Sequence, residues 1–209
     1  MEEIKAIIFD LGSVCFDIDW MKINEEMKKK FGISSLVRSN YNEDINALYD
    51  KAIRGEISLK NVFKKICEEK NLNVDEVSDY YKELYKKYKT KNEKVFKLIN
   101  RLKGGVKIAC LSDTNDIHFL AYEEQNHLKD FDFVFASFKM GKMKKDKDAF
   151  SMVIEQLSVK PEETILVDDS DKNIQNAKAH ELKAIKYENY EQLVTELKKL
   201  RILKNAQKI

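Results

Sequence analysis

IIFDLGSV (Ile7–Val14) decides how this chain is read: an apolar run stops at one carboxylate, Asp10, and a glycine, Gly12, follows two residues later. A short, nearly continuous apolar segment predicts a strand buried on both faces, and its polar end faces outward from the sheet. The same design returns along the chain. VKIACL (106–111), FDFVFA (131–136), TILVD (164–168) and KAIKY (183–187) join IKAIIF (4–9) as apolar runs bounded by turn or charged residues. Helical patterns fall between and after the later ones, at 92–103, 116–128, 146–157, 171–182 and 189–203. Strand and helix in alternation predict an α/β fold with a doubly wound, parallel, Rossmann-like sheet.

Residues 16–90 break the alternation. They show no convincing strand and read as amphipathic helices rich in Lys and Glu, at Lys22–Phe31, Tyr41–Arg54, Ser58–Lys70 and Val74–Lys89. The natural division is a core domain of residues 1–15 and 91–209, with a helical cap domain inserted at 16–90. The basic end KKLRILKNAQKI (198–209) reads as a solvated helix terminus rather than a membrane anchor.

The 209 residues are 43% hydrophobic, enough for a real core, and 35% charged. Lys and Arg number 38 against 36 Asp and Glu, for a net charge of +2, which leaves no electrostatic footprint for nucleic acid. Cys15, Cys67 and Cys110 are odd in number and far apart, in neither a zinc spacing nor a disulfide framework. With no leader and no membrane-length apolar run, the expectation is a cytoplasmic protein, monomeric or a weak homodimer.

In a doubly wound sheet, ligands bind beyond the carboxyl ends of the strands. Four polar clusters fall there: Asp10; Ser112-Asp113-Thr114-Asn115; Lys144; and Asp168-Asp169. Taken singly, each has a plain explanation as a cap, a turn residue or a solvated lysine. Together they make one chemistry. Asp10, Asp168 and Asp169 in one crevice repel one another and call for a cation, and hard carboxylate oxygens suit Mg²⁺. Ser112 offers a hydroxyl to a phosphate oxygen, beside backbone N–H groups at a helix start. Lys144 neutralises the remaining charge, and Asp10 stands as a nucleophile.

These segments resemble the haloacid dehalogenase superfamily from end to end. IIFDLGSV is similar to its first motif, CLSDTN (110–115) to its second, MGKMKKDKDAF (140–150) to its third and ILVDDSDKNIQNA (165–177) to its fourth. The resemblance implies Asp10 as nucleophile, Ser112 as the phosphate-binding hydroxyl and Lys144 as the family's lysine. It also implies Asp168 and Asp169 as the acidic pair, and the Gly12 carbonyl as a further metal ligand. The family usually has proline after the lysine, where this chain has Lys145, so Lys142 and Lys145 stand as alternatives. FDLGSV, RGEIS (54–58) and LSDTNDIH (111–118) resemble the sugar-phosphatase-like branch with a small helical cap. Family phosphatases usually carry a second aspartate two residues after the nucleophile as general acid and base; here that residue is Gly12.

The function implied is a Mg²⁺-dependent phosphomonoesterase acting through an aspartyl-phosphate on a small phosphorylated metabolite, such as a sugar phosphate. A metal-free dehalogenase and a non-catalytic phosphate- or partner-binding protein are the alternatives. Asp113 and Asn115 join Ser112 and Lys144 as candidates for holding the phosphate. Asn115 and His118, one helical turn apart, either reach the substrate or serve as a helix-start residue and a half-buried ring. Arg54 and Glu56 either face the crevice or lie in solvent beside a Ser58 cap. Tyr81, Tyr85 and Tyr88 have helical spacing and read as packing, while Asp17 and Asp19 read as exposed or capping residues.

Overall fold

The computed structural model describes residues 3–33 and 43–203. Strand β1 (Ala6–Phe9) comes first, and β2 (Phe16–Ile18) leads into helices α1 (Trp20–Phe31), α2 (Glu43–Ile53), α3 (Leu59–Lys70) and α4 (Val74–Lys87). The chain returns through β3 (Lys89–Lys91) and then alternates: α5 (Glu93–Leu102), β4 (Lys107–Ser112), α6 (Asp116–Glu124), β5 (Phe133–Ala136). Two helices follow, α7 (Ser137–Met140) and α8 (Ala149–Leu157), then β6 (Thr164–Asp168), α9 (Asp171–Ala179), β7 (Lys183–Lys186) and α10 (Tyr190–Lys199). Among the described residues no helix is long and apolar enough to cross a membrane.

Five strands make one parallel sheet in the order β5-β4-β1-β6-β7, flanked by helices, so the α/β expectation holds. The central strand explains its own composition. Ala6, Ile7, Ile8 and Phe9 are all 0% exposed, because β1 has a strand on each side and a layer on each face. Ile7 and Phe9 join Cys110 and Val167 in one core, which runs on into the helices before β3. Ala6 and Ile8 face the other way, onto Phe150 of α8 and Ala177 of α9. Burying each large side chain contributes about 1.5–3 kcal/mol.

The strand order also places the site. From β1 the chain winds outward through β4 and β5, then crosses back to β6 and β7 on the other side. The reversal opens a crevice at the carboxyl ends of β1, β4 and β6, the usual ligand position of such sheets. Phe9 pairs with Cys110 on one side and Val167 on the other, so Asp10 and Asp168 lie side by side just beyond.

Residues 16–90 are not strand-free. β2 and β3 pair antiparallel, Phe16 with Lys91 and Ile18 with Lys89, tying together the two chain crossings that flank α1–α4. Three residues each are too few for an alternating pattern to show in the sequence. The helix expected at 146–157 begins only at Ala149, because Asp146 closes a turn, accepting from the Met143 backbone N–H at 2.8 Å. The helix expected at Tyr41–Arg54 is described from Glu43 to Ile53, and Tyr41 and Asn42 lie outside the described residues, as does the end of the basic tail, residues 204–209.

The helical segment is bolted to the sheet through the RGEIS stretch. Arg54 makes a two-pronged pair with Asp146, and this holds the Asp146 carboxyl down at about 2. The Ser137 hydroxyl donates to the Ile53 carbonyl at 2.7 Å. Ser58 Oγ and Leu59 N donate to the two oxygens of Asp116 at 2.5 and 2.9 Å. Gly55 lies in the left-handed region at φ 72°, and a Cβ there would overlap the Phe138 carbonyl. Gly55→Ala is therefore expected to cost about 2–4 kcal/mol through overpacking and backbone strain. Its melting temperature measures this, and an unshifted value would mean that this contact does not hold in solution.

Candidate active site

Asp10 begins a tight turn. Its N–H donates to the Val167 carbonyl at 2.9 Å, and Val14 N donates to the Gly12 carbonyl at 2.7 Å. That carbonyl keeps one lone pair for another ligand. Gly12 itself is outside the left-handed region, and a Cβ there would meet only Asp10 Oδ2, at 3.9 Å. A side chain thus has room, and its absence is a property of the sequence rather than a demand of the backbone.

The loop after α7 brings Lys144 back into the crevice. It is 2% exposed, and its Nζ donates to Asp10 Oδ1 at 2.7 Å and to Asp168 Oδ2 at 2.5 Å. Two further contacts hold its backbone: Lys144 N donates to Asp113 Oδ1 at 2.9 Å, and Asn176 Nδ2 donates to the Lys144 carbonyl at 2.5 Å. Lys142 and Lys145, the alternatives, pair instead with Asp148 and Asp50 at the surface. Burial pulls the Lys144 ammonium down, but Asp10, Asp168 and Asp113 outweigh it and hold it above its usual value. Burial pushes the Asp10 carboxyl up to about 7 against the pull of Lys144, with Asp168 adding to the rise.

Asp10, Asp168 and Asp169 each offer a carboxylate oxygen, all within 4.8 Å of one another. Three hard oxygen donors this close fit a divalent cation. The two members of the acid pair differ. Asp168 is fully buried and committed, its Oδ1 accepting from Ser170 N at 2.9 Å and both oxygens from Asn173 Nδ2 at 3.0 and 3.2 Å. Asp169 is exposed, and no hydrogen bond or ion pair joins it to another described residue.

Above these groups lies a cavity of about 210 Å³. Asp10, Gly12, Ser112, Asp113, Thr114, Lys144 and Asn173 line its charged side, and Ile18, Trp20, Tyr85, His118 and Tyr122 line the other. Ser112 is 7% exposed at the end of β4, and burial pushes the Asp113 carboxyl up. Asn115, expected at the phosphate, does not line the cavity. It caps α6, its Oδ1 accepting from His118 N at 3.0 Å. Its Nδ2 must then be the donor to His118 Nδ1 at 3.1 Å. His118 Nε2 therefore carries the proton and donates to Tyr81 Oη at 2.7 Å. Burial, with Lys89 nearby, pulls His118 down to about 3, so the ring is neutral.

The remaining candidates separate in the same way. Ser58 caps α3, Arg54 is spent on Asp146 and neither Arg54 nor Glu56 lines the cavity. Asp19 caps α1 and Asp17 is exposed. Of the three tyrosines, Tyr85 lines the cavity, Tyr81 holds His118 and Tyr88 bonds Glu26 at 3.2 Å. Sequence reasoning missed Trp20, Tyr122, Asn173 and Asn176. Asn173 and Asn176 had a readable signal, three residues apart in the helix that follows the acid pair.

A buried lysine is thus clamped between strand-end carboxylates at the crevice of a parallel sheet. Residues 4–181 match the haloacid dehalogenase-like hydrolase family, and the chain belongs to it. It is 28% identical over 204 residues to mouse acyl-CoA dehydrogenase family member 10, and spans 19% of that protein's length. Among solved structures it resembles a family enzyme from Bacteroides thetaiotaomicron in complex with magnesium and inorganic phosphate, with 20% identity and TM-score 0.75 over 91% of this chain and 98% of that one. It also resembles 2-haloacid dehalogenase from Pseudomonas syringae pv. Tomato DC3000, at 14% identity and TM-score 0.66 over 94% of this chain and 99% of that one. At these identities the structural likeness speaks to fold alone.

Proposed function

We propose that the protein is a Mg²⁺-dependent phosphomonoester hydrolase acting on a small phosphorylated metabolite through a phosphoaspartate on Asp10. The observation that carries this reading is Lys144 Nζ between Asp10 and Asp168, with Asp169 completing a set of oxygens that fits a cation. Family membership and the magnesium and phosphate bound by the Bacteroides enzyme support it.

When bound, Mg²⁺ supplies positive charge that offsets the carboxylates and a phosphate oxygen. Asp10 attacks phosphorus, forming an oxygen–phosphorus bond while the ester oxygen leaves. Lys144 and the Ser112 hydroxyl hold the non-bridging oxygens as their charge develops. Asp168, fixed by Ser170 N and Asn173, keeps Lys144 aimed at Asp10. Water then attacks phosphorus, frees inorganic phosphate and restores the Asp10 carboxylate. Gly12 supplies no proton to the leaving oxygen, so that proton comes from solvent.

The test is turnover of an aryl phosphate with Mg²⁺ and with excess chelator. Turnover should vanish in chelator, and Asp169→Ala should lower it about 10²-fold by removing the one carboxylate with no other partner. Full activity in chelator on a haloacid would favour the dehalogenase reading instead. Against that reading stands the acid pair, which repels an anionic substrate when no cation is present.

A further inference from the structure

Among the described residues the cavity is charged on one side only. Its other wall is built from Ile18, Trp20, Tyr85, Tyr122 and His118. Tyr85 and His118 stack with ring centres 4.0 Å apart and 6° between planes, and Trp20 lies 5.7 Å from each. Lys89 holds Tyr122 from a short distance, its Nζ 3.8 Å from the ring centre.

Most of the hydrogen-bonding capacity of this wall is already committed. Both nitrogens of His118 are bound, to Asn115 and Tyr81. The hydroxyls of Tyr85 and Tyr122 bond each other at 3.0 Å, so the pair retains one hydroxyl hydrogen. That hydrogen, the lone pairs left on the two tyrosine oxygens and the Trp20 indole N–H are what the wall offers; among the described residues no carboxylate, amide or cation lines it. A sugar or polyol pressed against it would lose water from several hydroxyls and regain few partners. A flat apolar group loses nothing and gains aromatic contact. The volume of about 210 Å³ lies below the roughly 300–1,000 Å³ of drug-sized ligand sites, which suits a small group.

We propose that this site takes phosphate monoesters of small aryl or arylalkyl alcohols, with the ring against Trp20 and Tyr85. The proposal rests on the phosphatase reading and narrows its substrate class. For the aryl esters alone Gly12 points the same way, since an aryl oxide leaves with little help from an acid and Gly12 provides none.

The experiment separates recognition from leaving-group chemistry. 2-Phenylethyl phosphate and a hexose 6-phosphate are both primary alkyl esters, so only the group facing the wall differs. Turnover of each, and calorimetric binding of the matching phosphonates, are measured on the native protein with Mg²⁺. The aromatic ester should win by about tenfold or more in kcat/KM, and its phosphonate by about tenfold in affinity. Trp20→Ala should bring both ratios below about threefold, and Trp20→Phe should restore them. Equal or better use of the hexose ester, or an aromatic preference that survives Trp20→Ala, overturns the proposal. If neither ester is hydrolysed, the phosphatase reading fails by itself, and the two phosphonate affinities still decide what the wall prefers.

Discussion

Asp10→Asn is expected to lower turnover by about 10⁴-fold or more while leaving the protein folded. In the proposed reaction the amide has no anionic oxygen to attack phosphorus, and the neighbouring carboxylates are placed otherwise: Asp168 is held by Lys144, Ser170 and Asn173, Asp113 accepts from Lys144 N, and Asp169 is exposed at the rim. Stability should not fall with activity. Burial already pushes the Asp10 carboxyl up to about 7, so a neutral group at this position relieves a cost rather than adding one. The Asn oxygen can still accept from Lys144 Nζ, which sits 2.7 Å from Asp10 Oδ1 in the native protein. The measurement pairs steady-state turnover with a melting curve in the absence of Mg²⁺. Near-native turnover in a folded variant would remove Asp10 from the role of nucleophile.

Lys144→Ala is the second large effect. If the proposed reaction holds, turnover should drop about 10³-fold, because the ammonium that would neutralise phosphate beside Asp10 is gone. Unlike the first substitution, this one also destabilises. It strips the ammonium that bridges two buried carboxylates, and losing one partner of such a cluster costs about 3–5 kcal/mol. The loss should be largest without divalent metal and partly recovered by adding Mg²⁺, so the melting temperature of the variant should respond to Mg²⁺ more than that of the native protein. Lys142→Ala and Lys145→Ala serve as neighbours in sequence whose partners lie at the surface, and such pairs contribute about 0–1 kcal/mol. If Lys145→Ala proves the damaging one, the loop is one residue out of register in solution.

The sheet was legible because it is simple physics. A strand covered on both faces must be apolar throughout, as Ile7, Ile108 and Val167 are, and the polar residue that ends the run marks the open edge of the sheet. What sequence could not show falls into two kinds. β2 and β3 are too short to carry a period and exist because they pair with each other. The aromatic wall is the other case. Tyr85 was visible as a member of a helical stripe, but whether a stripe packs inward or lines a cavity depends on what the opposing element brings. Trp20 from α1, and His118 and Tyr122 from α6, made that choice. Asn115 shows the reverse: its place in a motif pointed to ligand contact, and a helix start used its side chain locally.

The contacts made by RGEIS have a mechanical meaning. Ile53 and Gly55 rest on Ser137 and Phe138, just before the loop that carries Lys144, and Arg54 grips Asp146 just after it. The segment from 137 to 146 is thus tied to the inserted helices near both ends, while Ser137 also bonds Thr114, and Lys144 is held by Asp113 and Asn176 from the sheet side. Any displacement of the inserted helices must either break these ties or pull against the bonds that hold Lys144 in the crevice. The loop that carries the ammonium is therefore a strut between the two parts of the chain rather than a free arm.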